Sequence, residues 1–312
     1  MTETSGSRAA VRLAAIAALA GVLILLVVPI DARLRFDVFW GPLGDRLHTA
    51  IFAAVVLALA ALAGERRALL TAVVGALALA GASELVQAWV GRSPSWQDVG
   101  HDIVGIALGS GIILVARGRR PAGVLLLVGA IAVALVASRD LPDAYRTRNA
   151  LLERLPVIYD FESPPGVERW SPFFGATIDD RPEPSRGDRH DGVLGFRAAG
   201  SGSFPGVATT TLPVDWSGYA SLQVTGRGRM ADADSVVLGL RLEDADFLED
   251  GGYFVQQFAF GADRTSCDVP FDSLTPRQVS RAFDASRVIT LKFYAVQPVD
   301  SVFVEIDHVE LR

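Results

Sequence analysis

The run Ala68-Leu69-Leu70-Thr71-Ala72-Val73-Val74-Gly75-Ala76-Leu77-Ala78-Leu79-Ala80-Gly81-Ala82-Ser83-Glu84-Leu85-Val86-Gln87-Ala88-Trp89-Val90 is apolar throughout, broken only by Glu84 and Gln87 near its end. A bilayer core about 30 Å thick needs about 20 mostly apolar residues in a helix, and this run supplies them. Runs of the same kind extend outward on both sides: Leu13 to Ile30, Leu47 to Gly64, Asp98 to Ala116 and Pro121 to Ser138. No small-x-small cleavage site follows the first, since Val28-Pro29-Ile30 leads directly into Asp31-Ala32-Arg33, so it reads as a span and not as a signal peptide. Residues 1–138 are predicted to form an all-α transmembrane bundle of about five helices.

Basic residues beside helix ends mark the cytoplasmic side. Arg8 and Arg12 precede the first run, Arg66 and Arg67 join the second to the third, and Arg117, Arg119 and Arg120 join the fourth to the fifth. The intervening loops carry Arg33, Arg35 and Arg46 matched by Asp31, Asp37 and Asp45, and a lone Arg92. This predicts a multi-pass protein of the cell membrane with its amino terminus cytoplasmic and everything after Ser138 extracytoplasmic.

Charge divides the chain at the same point. Through Ser138 there are 11 Arg and 8 acids; the remainder is net −9 within an overall −6. An acidic second half excludes a nucleic-acid partner. Lys292 is the only lysine and Cys267 the only cysteine, which excludes an internal disulfide or a cysteine-rich metal site.

Ionisable groups within a span are costly and face the bundle interior. Here Asp45 and His48 open the second span, Glu84 and Gln87 close the third, and Asp98, His101 and Asp102 open the fourth, with Arg92 between the last two sets. Asp98, Asp102, Gly105 and Gly109 follow helical steps, placing both acids and the two glycines on one stripe. The glycine pair would let another helix approach closely. His101 is expected to face away from that stripe. Interhelical glue and a ligand pocket in the outer leaflet stand as equal readings of Asp45, His48, Glu84, Gln87, Arg92, Asp98 and Asp102.

The segments Ser83-Glu84-Leu85-Val86-Gln87, Gly91-Arg92-Ser93-Pro94-Ser95-Trp96-Gln97-Asp98 and Asp102-Ile103-Val104-Gly105, with Asp45-Arg46-Leu47-His48, resemble the VanZ-like membrane family over about residues 11–118. That family takes its name from a protein linked to teicoplanin resistance. The resemblance implies a place at the cell envelope and carries no reaction. A carboxylate beside His48 and an arginine at 92 suit an anionic headgroup or diphosphate, and hence a lipid or envelope precursor.

Residues 139–155 are densely charged and read as a juxtamembrane linker with a short helix. Beyond them, runs rich in Val, Phe, Tyr, Leu and Thr recur at 156–161, 193–198, 206–212, 219–225, 235–243, 252–260, 288–296 and 301–312, the pattern of an all-β sandwich. Alternation places Val236, Leu238, Leu240 and Leu242, Phe254, Phe258 and Phe260, and Leu291 and Phe293 in the core. If these strands are neighbours, Arg241, Tyr253, Gln257, Lys292 and Tyr294 share the opposite face. Aromatic rings among amide and charged groups suit sugars; a solvated outer face is the plainer reading.

The stretches Tyr159-Asp160-Phe161-Glu162-Ser163, Asp215-Trp216-Ser217-Gly218-Tyr219-Ala220-Ser221-Leu222 and Glu305-Ile306-Asp307-His308-Val309-Glu310-Leu311 resemble carbohydrate-binding-module and galactose-binding-like jelly rolls over about 156–312. The resemblance implies that first and last strands lie side by side, and that Asp160, Glu162 and Asp307 supply oxygen ligands to a structural calcium.

No Gly-x-Ser-x-Gly elbow, phosphate loop or His-Glu-x-x-His occurs. The first expectation is a non-catalytic envelope protein binding cell-surface glycan. A membrane enzyme or transporter using Asp45, His48, Glu84, Arg92 and Asp98, and an anchored protein-interaction domain, remain as alternatives.

Overall fold

The computed structural model describes residues 5–27, 31–63, 67–89, 96–179, 192–198, 204–230, 233–298 and 301–312. The chain forms two compact units, Met1–Asp31 with Trp40–Pro142, and Ala32–Phe39 with Asp143–Arg312.

The first unit is helical: α1 (Ser5–Val27), α3 (Trp40–Leu62), α4 (Ala68–Trp89), α5 (Trp96–Ala116) and α6 (Arg120–Ala137). Ala, Leu and Val dominate all five, and Pro121 stands in the first turn of α6, where its missing N–H costs nothing. Among the described residues, four helical runs are long and apolar enough to cross a membrane: Trp40–Leu62, Ala68–Val86, Trp96–Ala116 and Arg120–Arg154. The described apolar part of α1, Ala9–Val22, is shorter.

Packing in this unit relies on small residues. Ala72, Ala76 and Ala80 recur at steps of four along α4 and are buried with Phe52, Val55 and Val56 of α3. On α5, a Cβ at Gly105 would lie 2.4 Å from the Thr49 carbonyl oxygen, and one at Gly109 would lie 2.8 Å from that of Ala53. Only glycine lets α3 and α5 come this close, so the glycine stripe contacts the helix that opens with Asp45 and His48.

The second unit is a sandwich of two six-stranded sheets. Its strands are β1 (Val157–Tyr159), β2 (Ser171–Phe173), β3 (Thr177–Asp179), β4 (Leu194–Ala198), β5 (Gly206–Thr209), β6 (Ser221–Met230), β7 (Ser235–Asp244), β8 (Tyr253–Gly261), β9 (Thr265–Pro270), β10 (Thr275–Arg277), β11 (Val288–Ala295) and β12 (Val302–Leu311). One sheet runs β3-β4-β12-β6-β9 with β1 also on β12, and the other β10-β8-β7-β11-β5-β2. First and last strands are therefore neighbours. Every run expected as a strand contains one; β2, β3, β9 and β10 are additional.

Alternation sorts the faces. Val236, Leu238, Leu240 and Leu242 are 3, 0, 0 and 0% exposed, and with Phe196, Trp216, Phe254, Phe260 and Phe293 they fill the space between the sheets. Each such side chain contributes about 1.5–3 kcal/mol relative to exposure. Two of the polar groups inside are answered, Trp216 Nε1 donating to the Pro213 carbonyl at 2.6 Å and the Tyr159 hydroxyl to that of Thr211 at 2.6 Å, while Trp170 Nε1 has no acceptor among the described residues.

The short helix expected at 139–155 is α7 (Leu141–Arg154), which from Asp143 onward belongs to the sandwich unit: Leu151 is buried, and Arg169 ion-pairs with Asp143 and donates to the Thr147 hydroxyl at 3.1 Å. Residues 32–39, including the short α2 (Ala32–Arg35), also belong to that unit. Arg148 pairs with Asp37 at 2.8 Å, Phe39 packs edge-on against Tyr145, and Arg33 pairs with Asp215 at 3.2 Å.

Candidate functional site

The second sheet carries a groove of about 610 Å³ on its outer face. All five residues that alternation placed on one face line it: Arg241, Tyr253, Gln257, Lys292 and Tyr294. Register explains the gathering. Arg241 lies opposite Val255 on β8 and Lys292 on β11, while Gly239 lies between Gln257 and Tyr294.

Gly239 makes the floor. A Cβ there would sit 2.2 Å from Tyr294 Cζ, so the tyrosine ring lies directly across the glycine backbone. Phe204 meets that ring edge-on at 5.7 Å. Burial raises the Tyr294 phenol pKa above its ordinary value, and Tyr253 adds to the rise, which keeps the hydroxyl a neutral donor.

The cations of the groove are held from below. Arg241 places its guanidinium 3.7 Å above the Tyr253 ring centroid, a stacked cation–π contact. Its Nη2 and the Lys292 ammonium both lie 2.6 Å from the same carboxylate oxygen of Glu243, a residue only 3% exposed. Arg277 faces Tyr253 across the β10–β8 ladder.

Phe173, Phe174, Phe204 and Arg277 line the groove as well and were not anticipated. Phe173 and Arg277 stand on three-residue strands, each beside a proline, too short for alternation to show. The available signal was Phe173-Phe174-Gly175, paired aromatics at a turn, with Phe174 in the left-handed region at φ 48° and 70% exposed. Such exposure of a large ring is unusual.

The outer face of the first sheet carries a second groove of about 580 Å³. There Phe303 lies opposite Arg197 and Arg229, with the Arg197 guanidinium 4.5 Å from its ring centroid and tied to Asp179 at 3.0 Å.

In the helical unit, His48 Nδ1 and Asp102 Oδ1 are 3.0 Å apart and Asp102 is fully buried. Asp98 and His101 are 7 and 6% exposed. His101 is enclosed as well, since α5 packs against both α3 and α6. Its carbonyl accepts from the Thr49 hydroxyl at 3.2 Å. Arg46 pairs with Asp140 at 2.8 Å, beside Asp45. Glu84 is half-buried on α4. Arg92 and the side chain of Gln87 lie outside the described residues.

Asp160, Glu162 and Asp307 are not gathered as a calcium set. Arg154 pairs with Asp160 and Arg264 with Asp307, so arginines take the charge a cation would neutralise. The Glu162 backbone N–H donates to Asp160 at 3.1 Å. Among the described residues no three His, Cys, Asp or Glu side chains are grouped to hold a metal ion.

No family model and no curated protein matches the chain, so the VanZ-like resemblance stands on its motif residues. Solved structures similar to it include a family 11 carbohydrate-binding module from Clostridium thermocellum in complex with a β-1,3-1,4-mixed-linked tetrasaccharide, at 16% identity over 50% of this chain and 94% of that one, TM-score 0.39. The family 30 module of a cellulosomal cellulase of the same organism is 15% identical over 44 and 82%, TM-score 0.33. An exo-β-agarase is 14% identical over 50 and 24%, TM-score 0.39. These scores are below 0.5, and the reading of the groove rests on its own residues.

Proposed function

We propose that the sandwich binds saccharide along the groove of its second sheet, and that the helical unit anchors it in the membrane with the sandwich extracytoplasmic. The observation that carries the reading is the Tyr294 ring laid flat over Gly239, flanked by Gln257 and Lys292. A sugar ring packs its C–H face on such a platform while its hydroxyls bond to the amide and ammonium. The anchor is supported by four apolar helical runs of membrane-crossing length, and the sidedness by Arg8, Arg12, Arg66, Arg67, Arg117, Arg119 and Arg120 recurring on alternate loops.

The test is a glycan array probed with the full chain in nanodiscs of zwitterionic lipid, which avoids sugar-headed detergents. Retention of defined glycans, lost in Tyr294→Ala, is the expected result; a blank array with a folded protein, beside capture of a protein partner, would replace the saccharide reading with an interaction domain. A reporter fused after Arg312 that works only outside the cytoplasm checks the orientation.

One observation favours a second role in the helical unit, the His48–Asp102 pair with its carboxylate fully buried. A carboxylate fixing an imidazole in one orientation is the arrangement a proton-transferring or headgroup-binding site needs. On this reading the bundle holds, or acts on, a lipid-linked glycan precursor. Asp102→Asn should abolish precursor binding or turnover while the protein still inserts; unchanged binding would leave the pair as interhelical packing.

A further inference from the structure

We infer that the groove selects acidic saccharides, chains bearing carboxylates such as uronates, over neutral ones; this rests on the saccharide reading above. Its charge is unbalanced. Arg241, Lys292 and Arg277 line it, against Glu243 as their one carboxylate among the described residues, and Glu243 is nearly inaccessible beneath the first two. Arg277 is exposed on β10 and has no carboxylate partner among the described residues.

This surplus is local. The chain is net acidic, and other arginines of the sandwich are matched: Arg281 with Asp244, Arg287 with Asp284, Arg227 with Glu305. Arg241 is also prepared for a planar anion. Stacking on Tyr253 fixes the guanidinium plane, and its Nε is buried without a hydrogen-bond acceptor among the described residues. A fixed guanidinium matches a carboxylate with parallel hydrogen bonds. A neutral sugar on the same rings would strip water from these cations and return no charge. The aromatic platform therefore supplies affinity for a sugar ring, and the cations decide which ring.

The experiment measures binding of the full chain in zwitterionic nanodiscs to polygalacturonate, alginate and hyaluronate, each against its own carboxyl-reduced form, with polyacrylate as an anion that is not a sugar. At least one uronate polymer should bind about tenfold or more tighter than its reduced form. That advantage should shrink as salt approaches about 1 M, where the Debye length is about 3 Å. Arg277→Gln, on an exposed edge strand, should remove much of the advantage, weakening the acid form far more than the reduced form. Tyr294→Ala should weaken both forms, and Arg197→Gln on the other sheet neither.

If reduced forms bind as well as the acids, the selectivity is overturned and the saccharide reading stands. If no polymer binds in either form, both fall. Polyacrylate binding as tightly as the uronates would make the groove a general polyanion surface and overturn both.

Discussion

The two sheets of the sandwich present grooves of nearly equal volume, about 610 and 580 Å³, yet their chemistry is opposite. On the first sheet the charges pair one to one: Arg197 with Asp179, Arg227 with Glu305 and Arg264 with Asp307, leaving Arg229 beside a single ring, Phe303. On the second, Arg241 and Lys292 share one buried carboxylate and Arg277 has none among the described residues, all three among rings from several strands and loops. Volume does not separate the two faces. Several rings beside cations with few carboxylates do, because such a surface joins an apolar platform to charged hydrogen-bond donors.

The largest expected effect concerns how each sheet buries an acid. Asp244, fully buried at the end of β7, accepts from both terminal nitrogens of Arg281, at 2.5 and 2.7 Å, and from the Asp284 backbone at 3.0 Å. Asp244→Ala strips a buried arginine contact of its partner and should cost about 3 kcal/mol in urea denaturation. Glu305 meets Arg227 with one oxygen, and the other has no partner among the described residues. Glu305→Gln keeps an acceptor and lowers the desolvation cost, so the loss should stay below about 1 kcal/mol. Equal losses would mean that the two sheets bury charge in the same way.

Next comes the contrast of rings. Tyr294→Ala should weaken glycan binding about tenfold or more, the loss of one aromatic contact of about 1.5 kcal/mol. Phe303→Ala, on the paired face, should leave binding unchanged. A drop in the second variant and not in the first would move the site to the other sheet.

Much of this was legible in the sequence, and the reason is periodic. Val236 through Glu243 alternates without interruption, so the inner and outer sets of β7 follow from residue spacing alone, and the same holds for Leu291 through Tyr294. Shared apolar length made the helices readable in the same way. What was not legible lies where period fails. Phe173 and Arg277 sit on strands of three residues beside Pro172 and Pro276. Residues 32–39, between two apolar helices, pack in the sandwich unit through Asp37 and Arg148, partners that no local pattern can connect. The ion pair of Asp307 on β12 was hidden for a similar reason, since Arg264 lies forty-three residues away in sequence.

A smaller effect tests the floor of the groove. Gly239→Ala puts a methyl where Tyr294 Cζ now lies, 2.2 Å from the new Cβ, and the ring must swing off the strand. Because the phenol is an outer-face group, the sandwich should remain folded with a loss of about 1 kcal/mol, while saccharide affinity falls as in Tyr294→Ala. Full binding by this variant would show that the ring's position over the glycine is not what the ligand uses.

The smallest effect is a difference in alkaline behaviour between the two faces. Tyr294 has its phenol pKa raised by burial and by Tyr253, and its counterpart Phe303 cannot titrate. For an acid whose pKa rises on folding, the folded state holds the proton longer than the unfolded one. Stability from this source is fully present below the unfolded tyrosine value of about 10 and is lost as pH rises through the folded value. Tyr294→Phe keeps a ring over Gly239 and removes that titration, so urea denaturation should show a shallower loss of stability above about pH 10 than in the parent. Some loss must remain, since Tyr159 is raised by its own burial in the core. Phe303→Tyr, placed on an open face tied to Arg197, should not recreate the difference, and an unchanged alkaline slope in Tyr294→Phe would mean that the groove does not desolvate its own platform.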